Sequence, residues 1–236
     1  MIDKLNSQYI EEALSIVKSE FLSGLWETLY VTLISTFFAI LIGLPLGILL
    51  AVSDKNGVLP LPTPIRRLLN GIIDILRSVP FLILMIMAIP LTRLIIGTAV
   101  GSPASIVPLT IAAFPFIARL AEGSMREVNP NLIETAKSMG ASPVQIITKV
   151  MLPESMPSLI SNATVALTTI LGYSAMSGII GGGGLGKIAI NYGYYRYKYL
   201  VMVLAVILLV LLVHVFQSVG TKLALKIDKR IKNKSN

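Results

Sequence analysis

The sequence predicts an all-α integral membrane protein with five membrane-crossing helices, and three observations carry that expectation. Of 236 residues, 54% are hydrophobic and only 14% charged, against about a quarter charged in a soluble globular chain. Several charge-free runs are long enough to cross the hydrocarbon core, which takes about 20 apolar residues. The 20 Lys and Arg residues collect between alternate runs. A soluble fold of this length would leave much apolar surface with no core to enter. With no Cys and one His, the chain lacks disulfides, thiolate metal sites and Cys nucleophiles, and no metal centre or cofactor is expected.

The first span is read as Leu29 to Val52, inside the charge-free run between Glu27 and Asp54. Within it Gly43 and Gly47 allow close helix approach, and Pro45 is expected to kink the helix. The second span lies around Ile72 to Leu91, with Asp74 and Arg77 near one end. The third covers about Ser105 to Ala118, after a turn-like stretch from Gly97 to Pro103. The fourth starts after Pro157 and reaches about Gly178, and the fifth is Leu200 to Gly220. Residues 1–24 carry Asp3, Glu11, Glu12 and Glu20 before any long apolar run, which excludes a signal peptide. Ile2, Leu5, Tyr9, Ala13 and Ile16 recur there at helical spacing. That pattern fits an amphipathic helix on the outer face, or a frayed terminal helix.

Lys and Arg placement orients the bundle. Lys55, Arg66, Arg67 and Arg77 lie beside Arg119, Arg126, Lys137 and Lys149, and beside the tail residues Lys222, Lys226, Lys229, Arg230, Lys232 and Lys234. These are 14 of the 20 basic residues and share one side. Lys4, Lys18, Arg93, Lys187, Arg196 and Lys198 take the other. The C-terminus is therefore expected in the cytoplasm and the N-terminus outside the cell membrane. The tail can meet anionic membrane lipid, and no nucleic-acid partner is expected.

Gly181-Gly182-Gly183-Gly184-Leu185-Gly186-Lys187 has the spacing of a phosphate-binding loop up to its last position. Ile188 stands where a hydroxyl would hold Mg²⁺, and a membrane helix rather than a strand precedes the glycines, so nucleotide binding is not expected. Tight turning or close packing between spans four and five explains them better.

The loop between spans three and four is polar and helix-prone. Asn131 could cap a short helix from Leu132 to Met139, with Gly140 as its left-handed stop. Ser142-Pro143 then opens a second helix, expected to run until Pro153 breaks it. Helix, glycine elbow and helix make a compact knob.

That loop resembles the EAA motif of ABC-transporter permeases: Glu-Ala-Ala, three residues, Gly, nine residues, Ile, one residue, Leu-Pro. Glu134, Ala136, Gly140, Leu152 and Pro153 match at the same spacing, while Thr135 and Val150 are small departures. Leu76 to Phe81, Ile106 to Ala113 and Gly172-Tyr173-Ser174-Ala175-Met176-Ser177-Gly178 resemble the methionine-uptake branch. The resemblance covers about 25–220. It implies a type I ABC importer permease with five helices and cytoplasmic coupling helices, non-catalytic itself. It further implies a homodimer bound to two cytoplasmic ATPase subunits and fed by an extracytoplasmic binding protein. On that reading 1–24 is an extracytoplasmic segment, 25–220 the permease domain with its coupling loop at about 122–157, and 221–236 a basic cytoplasmic tail.

Path residues are sought in span four. Asn162, Tyr173 and Ser174 are polar in an apolar helix, where small polar groups also serve packing. Met176 is a candidate gate, because a flexible thioether can close a narrow pore. Arg77 and Arg119 can snorkel, and Glu122 stands three residues past Arg119, within reach of an ion pair. His214 fits an interhelical hydrogen bond. Two rival classes fare worse. A secondary transporter couples ions through intramembrane ionisable residues, and the centres of these spans hold no Asp, Glu or Lys. An intramembrane enzyme needs a nucleophile–base pair that a single His does not supply. A permease for another small amino acid stays open.

Overall fold

The computed structural model describes the backbone of residues 2–228 and side chains from Tyr9 onward. All regular elements there are helical: α1 (Ile2–Val52), α2 (Thr63–Ser78), α3 (Phe81–Met87), α4 (Ile89–Ile96), α5 (Ile106–Arg126), α6 (Pro130–Ser138), α7 (Pro143–Gln145), α8 (Leu152–Ser177), α9 (Gly184–Ile188) and α10 (Tyr199–Ile227). Two π-helical stretches, Ile146–Met151 and Ala189–Tyr195, continue α7 and α9. Among the described residues four helices are long and apolar enough to cross a membrane, or five if the broken pair α2–α3 counts as one span.

The chain forms two compact units. One is drawn from Met1–Thr36, Pro80–Ile111 and Leu167–Val215. Its core joins Ala13 and Phe21 of α1 to Leu185, Ile188, Val201 and Ala205. The other is drawn from Phe37–Val79, Ala112–Ala166 and Phe216–Asn236, with Val52, Met125, Val128, Ile146 and Met151 in one cluster and Leu50, Ile73 and Ala118 in a second.

Helix α1 has 51 residues, about 76 Å at 1.5 Å per residue. Residues 2–24 are its uninterrupted beginning, and Ala13 and Phe21 pack into protein rather than lying on a lipid surface. The side chains of Ile2 and Leu5 lie outside the described residues. A Cβ on Gly43 would stand 2.6 Å from the carbonyl of Phe114, and one on Gly47 2.3 Å from that of Ala118. Glycine there lets α1 pack directly on the backbone of α5.

Five expected boundaries move, each at a proline or a helix end. The run expected as a continuous second span stops at Ser78, because Pro80 holds Val79 extended at φ −75°, ψ 127°. The fourth span does not begin after Pro157, nor does Pro153 break the second loop helix. Helical backbone continues from Pro143 through the π stretch into α8, with Pro157 inside it. The wider π turn opens the backbone just ahead of Pro153, so its ring escapes the carbonyl of the preceding turn. Helices α5 and α10 run past the expected ends at Ala118 and Gly220, to Arg126 and Ile227. Of the basic tail, residues 229–236 lie outside the described residues.

Candidate functional site

The helix–elbow–helix knob is built by local chemistry. Asn129, not Asn131, caps α6, accepting the N–H of Asn131 at 3.0 Å. Pro130 takes the first helical position, where its missing N–H costs nothing, and so fixes the start two residues earlier than the sequence suggested. Gly140 ends α6 at φ +79°. Its N–H donates to Lys137 O at 2.9 Å and that of Ala141 to Ala136 O at 3.1 Å, the paired closure of a Schellman stop. Ser142 then opens α7 with a capping box: Gln145 N–H donates to its hydroxyl at 3.3 Å, and its own N–H donates to the Gln145 side-chain Oε1 at 2.8 Å.

The knob has two faces. Ile133, Ala136, Ile147 and Leu152 turn inward onto Val52, Met125, Val128, Ile146 and Met151. Glu134 is exposed, Met139 is 82% exposed and Val144 65%. These side chains lie on the face of the knob turned away from its own core. Glu134, Ala136 and Gly140 thus share the knob, Leu152 belongs to its anchor, and Pro153 sits exposed just past the π turn. Glu134 also borders a cavity of about 280 Å³ shared with Arg126, Lys137 and Met151.

In the same unit a chain of ion pairs joins the end of α1, α2 and α5. Asp54 meets Arg66 at 2.8 Å and Arg126 at 2.5 Å, and Arg126 meets Glu122 at 3.0 Å. Glu122 in turn pairs with Arg119 at 2.6 Å, as its spacing suggested, and Arg119 with Asp74 at 2.9 Å. Arg77 lies 3.9 Å from Asp74. The hydrogen bond from Arg126 holds the Asp54 carboxyl below its ordinary range. Sequence spacing found the Arg119–Glu122 pair. Arg126–Glu122 and Arg77–Asp74 are also same-helix neighbours, whereas the pairs of Asp54 with Arg66 and Arg126, and of Asp74 with Arg119, join separate segments.

The path candidates separate. Tyr173 stacks on Phe81 with centroids 4.1 Å apart and rings 10° from parallel. Ser174 is buried, donates to Leu171 O at 2.7 Å and accepts from Thr32 at 3.5 Å. Asn162 lies in the other unit, where its amide donates to Ser124 Oγ at 2.8 Å and Leu120 O at 3.3 Å. Met176 is 48% exposed. Ser161, Val165 and Gly172 are exposed with it at helical spacing along α8.

Sequence reasoning missed Glu27. Its Oε2 accepts both the Ser102 hydroxyl and the Gly184 N–H, each at 2.7 Å. Leu185 N–H donates to Thr28 Oγ1 at 2.9 Å. A Cβ on Gly183 would fall 2.2 Å from that carboxylate oxygen, and Gly184 holds φ +82°. The glycine run therefore wraps a carboxylate of its own chain. A separation of 157 residues hides this from motif reading.

Apolar helices long enough to cross a membrane, two of them joined by an exposed helix–elbow–helix knob, fit a membrane transport component. The chain belongs to the family described as binding-protein-dependent transport system inner membrane component, whose model matches residues 43–229. It is 47% identical over 209 residues to the probable D-methionine transport system permease protein MetI of Vibrio cholerae, covering 89% of this chain and 92% of that protein. It is 48% identical over 155 residues to the D-methionine transport system permease protein MetI of Escherichia coli K12, covering 66% and 71%. Among solved structures it matches a chain of the inward-facing MetNI methionine ABC transporter with TM-score 0.86 at 45% identity, covering 88% of this chain and 96% of that one. An amino acid ABC transporter crystal structure matches with TM-score 0.69 at 23% identity, a likeness of fold alone. The fold is that of a type I ABC importer permease, a multi-pass inner membrane component.

Proposed function

We propose that the chain is the membrane-spanning subunit of an ATP-driven methionine importer, working as a homodimer with two cytoplasmic ATPase subunits and an extracytoplasmic binding protein. The observation that carries this is the knob, braced on its inner face and exposed on its outer face at Glu134, Met139 and Val144. The names of the MetI relatives support methionine as substrate. The knob lies on the cytoplasmic side with the C-terminus, and the N-terminus lies outside, in keeping with the Lys and Arg bias.

The chain itself breaks no covalent bond. Closure of the partner ATPases displaces the knobs, and the Schellman stop and capping box let each move as a rigid lever. The bundle then shifts between inward-open and outward-open states. The exposed α8 stripe ending at Met176 faces its two-fold copy and forms the path, with Tyr173 beside it. Ser174 and Asn162 brace the helix behind.

Purification in mild detergent tests the assembly. A stoichiometric ATPase should accompany the chain, and its secreted partner should release methionine on denaturation. A chain that purifies alone from a membrane containing that ATPase contradicts the proposal.

A further inference from the structure

We propose that the corner from Tyr194 to Tyr199 is a phospholipid headgroup site, with Arg196 as the ligand for the lipid phosphate. Four tyrosines there stand open: Tyr194 is 69% exposed, Tyr195 61%, Tyr197 71% and Tyr199 56%. Tyr197 holds φ +57°, the one non-glycine residue with positive φ among the described residues. The corner is nonetheless fixed. Lys198 N–H donates to Tyr192 O at 2.8 Å, Lys198 Nζ pairs with Glu12 at 2.6 Å, and Leu200 N–H donates to Tyr9 at 3.2 Å. Tyr192 donates to Glu20, and the Arg196 guanidinium lies 4.8 Å from the Tyr192 ring centre. Arg196 has no carboxylate within 4.0 Å among the described residues, so its fixed charge is left for an outside anion.

The surface below the corner says which anion. Val203, Val206 and Ile207 of α10 are each about half exposed, as are Ile10 and Leu14 of α1. On α10 that apolar surface runs on along a long apolar helix that is mostly exposed and begins where the tyrosines and basic groups end. On α1 the exposed Glu11 and Glu12 stand between Ile10 and Leu14. Tyrosine concentrates at the boundary between hydrocarbon and headgroups, and a basic side chain there attracts anionic lipid. A protein-docking patch would not need to start at the end of a lipid-facing helix. The occupant is therefore an anionic phospholipid such as phosphatidylglycerol. The inference depends on the chain crossing a membrane and not on its substrate.

The chain has one Trp, which gives a direct test. The full chain carrying Trp26→Phe and Tyr195→Trp is placed in phosphatidylethanolamine vesicles containing one-fifth brominated lipid. Bromines near the headgroup should quench the new Trp more than bromines near the chain ends. Brominated phosphatidylglycerol should quench at about fivefold lower mole fraction than brominated phosphatidylcholine, the factor expected for one basic residue at a membrane surface. Arg196→Gln in the same background should abolish that preference and keep the depth profile. Equal quenching by both lipids before the Arg196 change overturns the phosphate assignment. A Trp unquenched at either depth, but shifted by adding the extracytoplasmic binding protein, overturns the lipid site and makes the corner a docking surface.

Discussion

The carboxylate of Glu27 accepts the backbone N–H of Gly184 at 2.7 Å, tying α1 to the glycine run that follows α8. The same oxygen holds Ser102, so one side chain fastens three segments. Glu27→Ala leaves a part-buried N–H and a hydroxyl without their charged acceptor, a loss of about 1–3 kcal/mol. Thermal unfolding in detergent should fall accordingly, and proteolysis within Gly181–Gly184 should quicken. Glu27→Gln keeps an oxygen in place and should lose less.

Gly140→Val should uncouple transport from hydrolysis. The left-handed conformation costs a residue with a Cβ about 1–2 kcal/mol, and more when it is β-branched. Since no neighbour lies within 4 Å of a Cβ there, the damage comes from backbone strain that shifts the elbow, not from a clash. Uptake should drop at least tenfold with normal membrane abundance, read by quantitative blotting and radiolabelled uptake.

Asp54 gives the ion-pair chain a pH signature. Its carboxyl is held low, first by the hydrogen bond from Arg126. The stability this supplies is present above the ordinary Asp value of about 3.9 and is lost as pH falls through the lowered value. Asp54→Asn should flatten the fall in unfolding temperature between pH 5 and pH 3, measured by scanning fluorimetry.

Met176→Cys tests the proposal that Met176 gates the path, without interference, since the chain has no Cys of its own. The thiol should cross-link to its two-fold copy in the resting assembly and lose that cross-link when ATP binds. Labelling by lipid-soluble reagents with no cross-link would place Met176 on the outside of the bundle.

Much of this was legible in the sequence where the cause is local. Gly140 and Ser142-Pro143 announce their turn and restart, because left-handed backbone and N-capping are properties of single residues and their near neighbours. The pause at Pro80 was equally local but masked by the apolar run around it, which reads as one span by composition alone. Pro153 misled for the opposite reason: a π turn absorbed it, and nothing in single-residue chemistry forecasts that. The Glu27 contacts and the Asp54–Arg126 and Asp74–Arg119 pairs were invisible because their partners are distant in sequence and meet only through packing. The fold class was carried by composition and charge-free length, which do not depend on such meetings.

The central claim is that this chain moves methionine only when a separate ATPase works on its knob. Proteoliposomes holding the chain, its ATPase and internal ATP-regenerating mix, with binding protein on the opposite side, measure it directly. Methionine should accumulate against its gradient with ATP, and not with a proton or sodium gradient alone. Omitting the ATPase should abolish uptake, and the isolated chain should bind no ATP whether or not Lys187 is changed to Ala. Accumulation driven by an ion gradient without the ATPase would contradict this and place the chain among the secondary carriers.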